Sequence, residues 1–331
     1  MHAYVRNVSG ILATATAAAL LAACGGSDGS TEQTGFLNLG VTDAPVDFAD
    51  EVVVQFTGVE LKPRGGPAFS IDFAPENPNL LELQGANRVL LLDGEEVPAG
   101  AYEWLRLKVN ADPNVGGDSY LRLVAGGEQC ELRIPSGDET GLKLVRGFTV
   151  GVGATSDFTI DFDLRKSIVA PPGQATPVNT CGNQAFLLKP ALRIVDNLQV
   201  GMVGGSVDGG LIGTACASPN EAPYPGNVYL FGPVPDGETL VPDDYDGVVD
   251  DVNGDDPIAS ARVDKDTFRY EFGFVPAGKT YLVAYTCDLD ETGVDADAPV
   301  TPPATGETVV FTPPEGKLAP VTANQTVEVN F

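Results

Sequence analysis

Between Asp157 and Leu164 the chain alternates strictly. Phe158, Ile160, Phe162 and Leu164 are apolar, while Asp157, Thr159, Asp161 and Asp163 are polar. A two-residue period is the mark of a strand with one buried face, and here it predicts an antiparallel strand whose acidic face is wet. Shorter runs of the same kind are Val52-Val53-Val54-Gln55-Phe56, Leu105-Arg106-Leu107-Lys108-Val109, Leu121-Arg122-Leu123 and Phe186-Leu187-Leu188. Helical periodicity is nearly absent. Gly and Pro together make up 65 of 331 residues, well above the usual ~12%, and they punctuate the runs as turns. The predicted fold class is all-β, with the sheets forming a sandwich or a barrel.

A second set of strands begins near Gly201, after Ile194-Val195-Asp196-Asn197 closes the first. Phe268, Tyr270, Phe272 and Phe274 alternate, Pro276-Ala277-Gly278 turns, and Tyr281, Val283, Tyr285 and Cys287 alternate again. At the end, Val327, Val329 and Phe331 oppose Thr326, Glu328 and Asn330. Two β-sandwich-type domains are therefore expected, at residues 35–200 and 201–331, the second immunoglobulin-like or prealbumin-like.

The N-terminus reads as an export signal. A weakly basic start with Arg6 precedes the apolar run Ile11–Ala22 and the sequence Leu21-Ala22-Ala23-Cys24. The run is shorter than the ~20 residues of a spanning helix, and the pattern is that of a cleaved signal. It resembles bacterial lipoprotein signals, which implies residues 1–23 as the signal peptide and Cys24 as the lipidated first residue of the mature chain. Residues 24–34, opening with Gly25-Gly26-Ser27-Asp28-Gly29-Ser30, make a flexible tether. Gly25 rather than Asp after the cysteine resembles outer-membrane delivery.

The single histidine, His2, lies in that signal, so catalysis by Ser-His-Asp or Cys-His groups and histidine metal sites are excluded. A formal charge of -27, from 19 Lys+Arg against 46 Asp+Glu, disfavours nucleic acid as a partner. Four cysteines remain after Cys24, namely Cys130, Cys181, Cys216 and Cys287, and none forms a C-x-x-C. An exported chain with an even number favours disulfides. The domain division selects Cys130 with Cys181 and Cys216 with Cys287.

Four segments carry a family resemblance. Leu39-Gly40-Val41-Thr42-Asp43-Ala44-Pro45, Gly141-Leu142-Lys143-Leu144-Val145-Arg146-Gly147-Phe148, the strand Asp161-Phe162-Asp163-Leu164-Arg165-Lys166-Ser167 and Leu187-Leu188-Lys189-Pro190-Ala191-Leu192-Arg193 resemble the bacterial exported-lipoprotein family called domain of unknown function 4382. The resemblance covers about residues 35–197 and implies a β-rich extracytoplasmic domain with no established activity. Phe274-Val275-Pro276-Ala277-Gly278-Lys279-Thr280-Tyr281 resembles the carboxypeptidase regulatory-like and prealbumin-like modules, which implies a β-sandwich for the second block.

Chemistry-bearing groups are few. Gly151-Val152-Gly153-Ala154-Thr155-Ser156 begins like a dinucleotide loop but lacks the third glycine and enters a strand. Asp161 and Asp163 share a strand face, as a carboxylate pair for glycoside hydrolysis would; a solvated face balanced by Arg165 and Lys166 accounts for them more simply. Asp43, before Ala44-Pro45, reads as a turn former. Trp104, with Arg106 and Lys108 on its face, is either a sugar platform or a packed cation–π residue. The segment 243–256 holds seven Asp and one Asn. Asp243, Asp244, Asp246, Asp250, Asp251, Asn253 and Asp255 are its candidate calcium ligands, because calcium takes six to eight oxygens from such loops. A solvated acidic loop without a specific ion is the competing reading, and the sequence leaves both open. The function expected is that of a non-catalytic envelope lipoprotein that binds or adheres, with a protein or glycan ligand, calcium as the one candidate cofactor and Cys24 as its membrane link. The alternatives are a carboxylate enzyme acting on polysaccharide and a structural subunit of an envelope assembly.

Overall fold

Residues 33–44, 49–111, 118–123, 127–134, 141–170, 180–181, 185–189, 191–215, 225–242, 257–287 and 310–331 are described by a computed structural model. In chain order the strands before residue 200 are β1 (Thr34–Ala44), β2 (Ala49–Val53), β3 (Gln55–Pro63), β4 (Phe69–Glu76), β5 (Val89–Pro98), β6 (Gly100–Asn110), β7 (Tyr120–Leu123), β8 (Gln129–Arg133), β9 (Leu142–Leu144), β10 (Phe148–Val150), β11 (Thr155–Asp163), β12 (Ile168–Val169), β13 (Phe186–Leu188) and β14 (Leu192–Asp196). Those after it are β15 (Val200–Ser206), β16 (Asn227–Pro233), β17 (Pro257–Arg262), β18 (Arg269–Pro276), β19 (Lys279–Thr286), β20 (Thr312–Val321) and β21 (Thr326–Glu328). Helix among the described residues is confined to α1 (Leu164–Ser167), α2 (Gly209–Ala215) and two 3-10 turns. The fold is all-β, as the alternation predicts.

Before residue 200 the strands form three sheets that share one core. One sheet runs β14-β11-β1-β5 and a second runs β10-β6-β3-β4 with β9 on the flank of β6; the third is β12-β13-β8-β7-β2. Leu37, Leu39 and Val41 of β1 lie beside Phe158, Ile160 and Phe162 of β11, all facing inward. The first two sheets meet through Phe148 on Phe158, ring centres 5.2 Å apart, and Phe56 on Phe162 at 5.9 Å. Each such side chain, fully buried, contributes roughly 1.5–3 kcal/mol. Cys130 and Cys181 are disulfide-bonded, the pairing the sequence selects.

Two features of the strand after residue 154 differ from expectation. β11 is antiparallel to β14 but parallel to β1, so it is an interior strand of a mixed sheet. It also stops at Asp163: the side chain of Asp163 accepts a hydrogen bond from the Lys166 N–H at 3.2 Å and caps α1, so Leu164–Ser167 is a helical turn and not strand. An Asp at an N-cap satisfies a backbone donor that a continuing strand would have to pair elsewhere.

The polar face of this sheet is covered toward Thr42 and stays open toward Phe36, which is 41% exposed. Thr42 and Thr159 are buried there. Arg88 crosses β1 at Gly40, where an added Cβ would stand 2.9 Å from the arginine Cδ, and binds both carboxylate oxygens of Asp157 at 2.7 and 2.9 Å. Asp161 is ion-paired to Arg193 of the neighbouring β14.

After residue 200, β18-β15-β21 and β17-β16-β19-β20 enclose a second core. Residues Tyr281 to Tyr285 of β19 are all buried. Tyr281, Val283 and Tyr285 face the core between the sheets, while Leu282 and Ala284 join Tyr229, Phe231 and Phe311 in a separate cluster. The unbroken apolar run Tyr281-Leu282-Val283-Ala284-Tyr285 fits a strand covered on both faces. In β18 the expected alternation fails at its end. Val203 is paired with Phe272 and Gly201 with Val275, so Met202 alone faces both Gly273 and Phe274. This bulge puts Val275 inside and turns Phe274, at φ 53°, out of the core. Phe268, at the other end, is also left partly exposed.

The two blocks meet along a seam. β17 and β18 are edge strands of their sheets, and both are covered by the first block. A Cβ on Gly273 would lie 1.9 Å from the Gly85 carbonyl oxygen, so backbone rests directly on backbone there. Beside it the Ala86 N–H donates to Glu271 at 3.0 Å, the Lys166 ammonium to the Pro257 carbonyl at 2.9 Å, and the Arg262 guanidinium to the Ala49 carbonyl at 3.3 Å.

Candidate functional site

A polar face with fixed charges lies on the outer side of β3, β4, β6 and β9. In β6, Tyr102, Leu105, Leu107 and Val109 are buried, while Trp104, Arg106, Lys108 and Asn110 lie on the other side. The switch comes at a register shift opposite Lys62 and Pro63. Arg106 pairs with Glu60 at 2.7 Å and Lys108 with Asp72 at 2.7 Å. Asn110 donates to Gln55 at 2.6 Å. Partly to fully solvated pairs of this kind add little stability; what they do is hold long side chains in fixed positions across the face. A shallow groove of about 410 Å³ runs between them, lined by Thr57, Glu60, Ser70, Arg106, Lys108 and Asn110.

Trp104 is a cation–π residue. The Lys143 ammonium stands 4.2 Å from the ring centre and the Arg106 guanidinium 5.2 Å. Sequence proximity points to Arg106 and Lys108; Lys143 arrives because β9 pairs with β6 in a register that puts Lys143 opposite Arg106. Cations over the indole, worth about 0.5–1 kcal/mol in such exposed settings, occupy the surface a sugar ring would stack on.

Asp161 and Asp163, predicted to share a strand face, each have a cation of their own. Asp161 is at the seam with Arg193, and Asp163 is at the cap of α1 with the Lys166 ammonium 3.4 Å away. Burial raises the Asp163 pKa above the usual carboxylate value against the pull of Lys166. The Arg165 side chain lies outside the described residues. Asp43 is buried within β1, not in an exposed turn, and with Thr42, Asp161, Arg193, Ser260 and Glu271 it lines a cavity of about 20 Å³ at the seam. The Tyr281 phenol is pushed up by burial and partly lowered again by Arg193 across the seam.

Gly151–Ser156 leads into β11, with Gly153 in a left-handed turn at φ 61°, and no helix follows to receive a phosphate. Cys24, Cys216, Asp243, Asp244, Asp246, Asp250, Asp251, Asn253 and Asp255 lie outside the described residues. Cys287 is disulfide-bonded, its partner also outside them. Among the described residues no cluster of three or more His, Cys, Asp or Glu is arranged to hold a metal, and no helix is long and apolar enough to cross a membrane.

Residues 34–190 match the family model described as domain of unknown function (DUF4382). No curated protein matches the chain. Among solved structures it is similar to a leucine-rich repeat protein from Bacteroides thetaiotaomicron, at 14% identity over 90% of this chain and 26% of that one, TM-score 0.17. It is similar also to the TIE protein of Bacillus anthracis, at 8% identity over 90% and 34%, TM-score 0.17, and to the major pilin of Streptococcus pyogenes, at 11% identity over 90% and 99%, TM-score 0.18. The chain spans about a quarter to a third of the first two. TM-scores this low carry neither fold nor function across.

The Asp161–Arg193 pair at the seam is mostly buried, with side-chain exposures of 14% and 24%. Arg193→Met leaves the Asp161 carboxylate, which lines the same cavity as Asp43 and Glu271, without its cation, and a cost of about 2–3 kcal/mol follows, somewhat below that of breaking a fully buried pair. Urea unfolding of Arg193→Met, and of the same variant with Asp161→Asn, measures it. The second substitution recovers most of the loss; a single variant within about 0.5 kcal/mol of wild type would contradict the pairing.

Proposed function

We propose that the chain is a two-domain, non-catalytic lipoprotein of the bacterial cell envelope, tethered to the outer membrane through Cys24, that binds a surface protein or glycan. The observation that carries the reading is the outer face of β3, β4 and β6. In a chain with net charge -27, this face collects Lys62, Arg106, Lys108 and Lys143 around Trp104, with Glu60 and Asp72 between them. Fixed, alternating charges on a broad sheet suit contact with an extended partner more than enclosure of a small substrate. Support for the tether comes from Leu21-Ala22-Ala23-Cys24 and the Gly/Ser-rich residues after it. The second domain is read as a prealbumin-like or carboxypeptidase regulatory-like module, and its acidic segment 243–256 as a calcium loop that assists binding.

Cys24→Ser removes the acylation site. The variant is expected in a soluble exported fraction while wild type sediments with membranes, because stable anchoring takes more than one acyl chain. A Cys24→Ser protein that still needs detergent would contradict the tether.

Binding is tested by presenting full-length protein to extracted envelope polysaccharide and envelope protein, with 10 mM calcium and with EDTA. The paired substitution Trp104→Ala, Lys143→Glu is expected to lower retention about tenfold. Substituting Asp244, Asp246 and Asp250 with Asn is expected to abolish any difference between calcium and EDTA. Retention indifferent to the Trp104 and Lys143 changes would remove this face from the function.

A further inference from the structure

A second pocket, of about 260 Å³, lies where the first block's Ala86 meets Met202, Phe274, Asn324, Gln325 and Thr326 of the second. From it we infer a binding site for one neutral sugar ring, distinct from the charged sheet face.

The bulge is what makes the site. Gly273 rests against the Gly85 carbonyl, and there Met202 faces two residues where regular pairing would give one. Bulges re-aim side chains, and this one swings Phe274 away from the core into the pocket wall. Its ring meets no other aromatic ring among the described residues. A bulky residue at φ 53° is uncommon, because the Cβ crowds the backbone. The conformation is retained where glycine would be free of that strain, and what phenylalanine adds is a ring facing an open space.

The opposite wall is the turn between β20 and β21. Its backbone is clamped: the Asn324 N–H donates to the Val200 carbonyl at 2.8 Å, the Gln325 N–H to the Thr322 carbonyl at 3.2 Å, and the Met202 N–H to the Gln325 carbonyl at 2.9 Å. Asn324, at φ 57°, belongs to a residue type that tolerates this region. The side chains of Asn324, Gln325 and Thr326 are exposed and make no hydrogen bond to another described residue. A rigid rim thus presents two carboxamides and a hydroxyl, which both donate and accept.

Size and charge select the ligand class. The pocket is smaller than the ~300–1,000 Å³ that encloses a drug-sized molecule, so it admits a single ring. Every residue that lines it is uncharged, although the chain carries 65 charged residues; anionic or cationic ligands have no counter-charge in the lining. One aromatic ring, a mostly apolar wall and neutral groups that donate and accept are the complement of a hexopyranose, whose C–H face is apolar and whose edge is ringed with hydroxyls. An apolar ring would leave the amides unused. The pocket opens to solvent past Ala86, Asn324, Gln325 and Thr326, all exposed, so the ring can belong to a longer glycan.

Saturation-transfer NMR on full-length protein in a detergent without sugar tests this, with the methyl glycosides of glucose, galactose, mannose and N-acetylglucosamine as probes and cyclohexanol as an apolar control. At least one glycoside is expected to receive saturation, with a dissociation constant of about 1 mM, the strength open to one small ring. Phe274→Gly relieves the backbone strain while deleting the ring, so it folds; it is expected to weaken binding about tenfold. Gln325→Ala with Thr326→Val is expected to weaken it about fivefold. Val152→Ala, at an exposed residue that lines neither this pocket nor the sheet face, is expected to change nothing. Transfer to cyclohexanol with none to any glycoside overturns the inference, as does undiminished transfer in Phe274→Gly. If Trp104→Ala abolishes binding and Phe274→Gly does not, sugar sits on the sheet face; this inference then fails while the function proposed for that face stands.

Discussion

Backbone laid on backbone at Gly85 and Gly273 is the constraint on which the rest of the structure depends. A Cβ at Gly273 would come within 1.9 Å of the Gly85 carbonyl oxygen, an approach open to no residue but glycine. Because the two blocks touch this closely, the part of the β14-β11-β1-β5 polar face around Thr42, Asp161 and Arg193 faces protein. The charges of that sheet face are matched in place, Asp157 by Arg88 and Asp161 by Arg193. The same contact covers the edge strands β17 and β18, which would otherwise offer unpaired backbone groups to other chains. Beside it β18 is bulged at Phe274.

Local pattern made the inward half of the fold legible. Phe158, Ile160 and Phe162 point into the core as their two-residue spacing requires, and Cys130 pairs with Cys181. The outward half was not legible, because its partners are remote in sequence. Nothing near Asp157 announces Arg88, and Arg193 reaches Asp161 from another strand. Lys143 reaches Trp104 only through the register of β9 on β6. Alternating acids read as a wet face whether water or an arginine meets them.

Other departures from the local pattern carry a signal in the sequence. Asp163 followed three residues later by Lys166 is a cap before a helical turn as readily as one more strand position. Tyr281 to Tyr285 contains no polar side chain except the tyrosine hydroxyls, which is the pattern of a strand buried on both faces. Gly273 before Phe274 was a cue for a bulge, and it separates a core aromatic from one left at a pocket. The groove beside Trp104 and the pocket beside Phe274 both depend on register shifts, at Lys62/Pro63 and Gly201/Val203, and a shift of register has no composition of its own.

Because backbone rests on backbone at the seam, the two domains are expected to unfold as one cooperative unit. Scanning calorimetry of the full chain, with and without Gly273→Val, tests it most directly. Wild type should melt in a single transition whose calorimetric and van't Hoff enthalpies agree. The valine, overpacked against the Gly85 carbonyl at a cost of about 1–3 kcal/mol, should split it in two. Two independent transitions in wild type, unmoved by the substitution, would contradict the account.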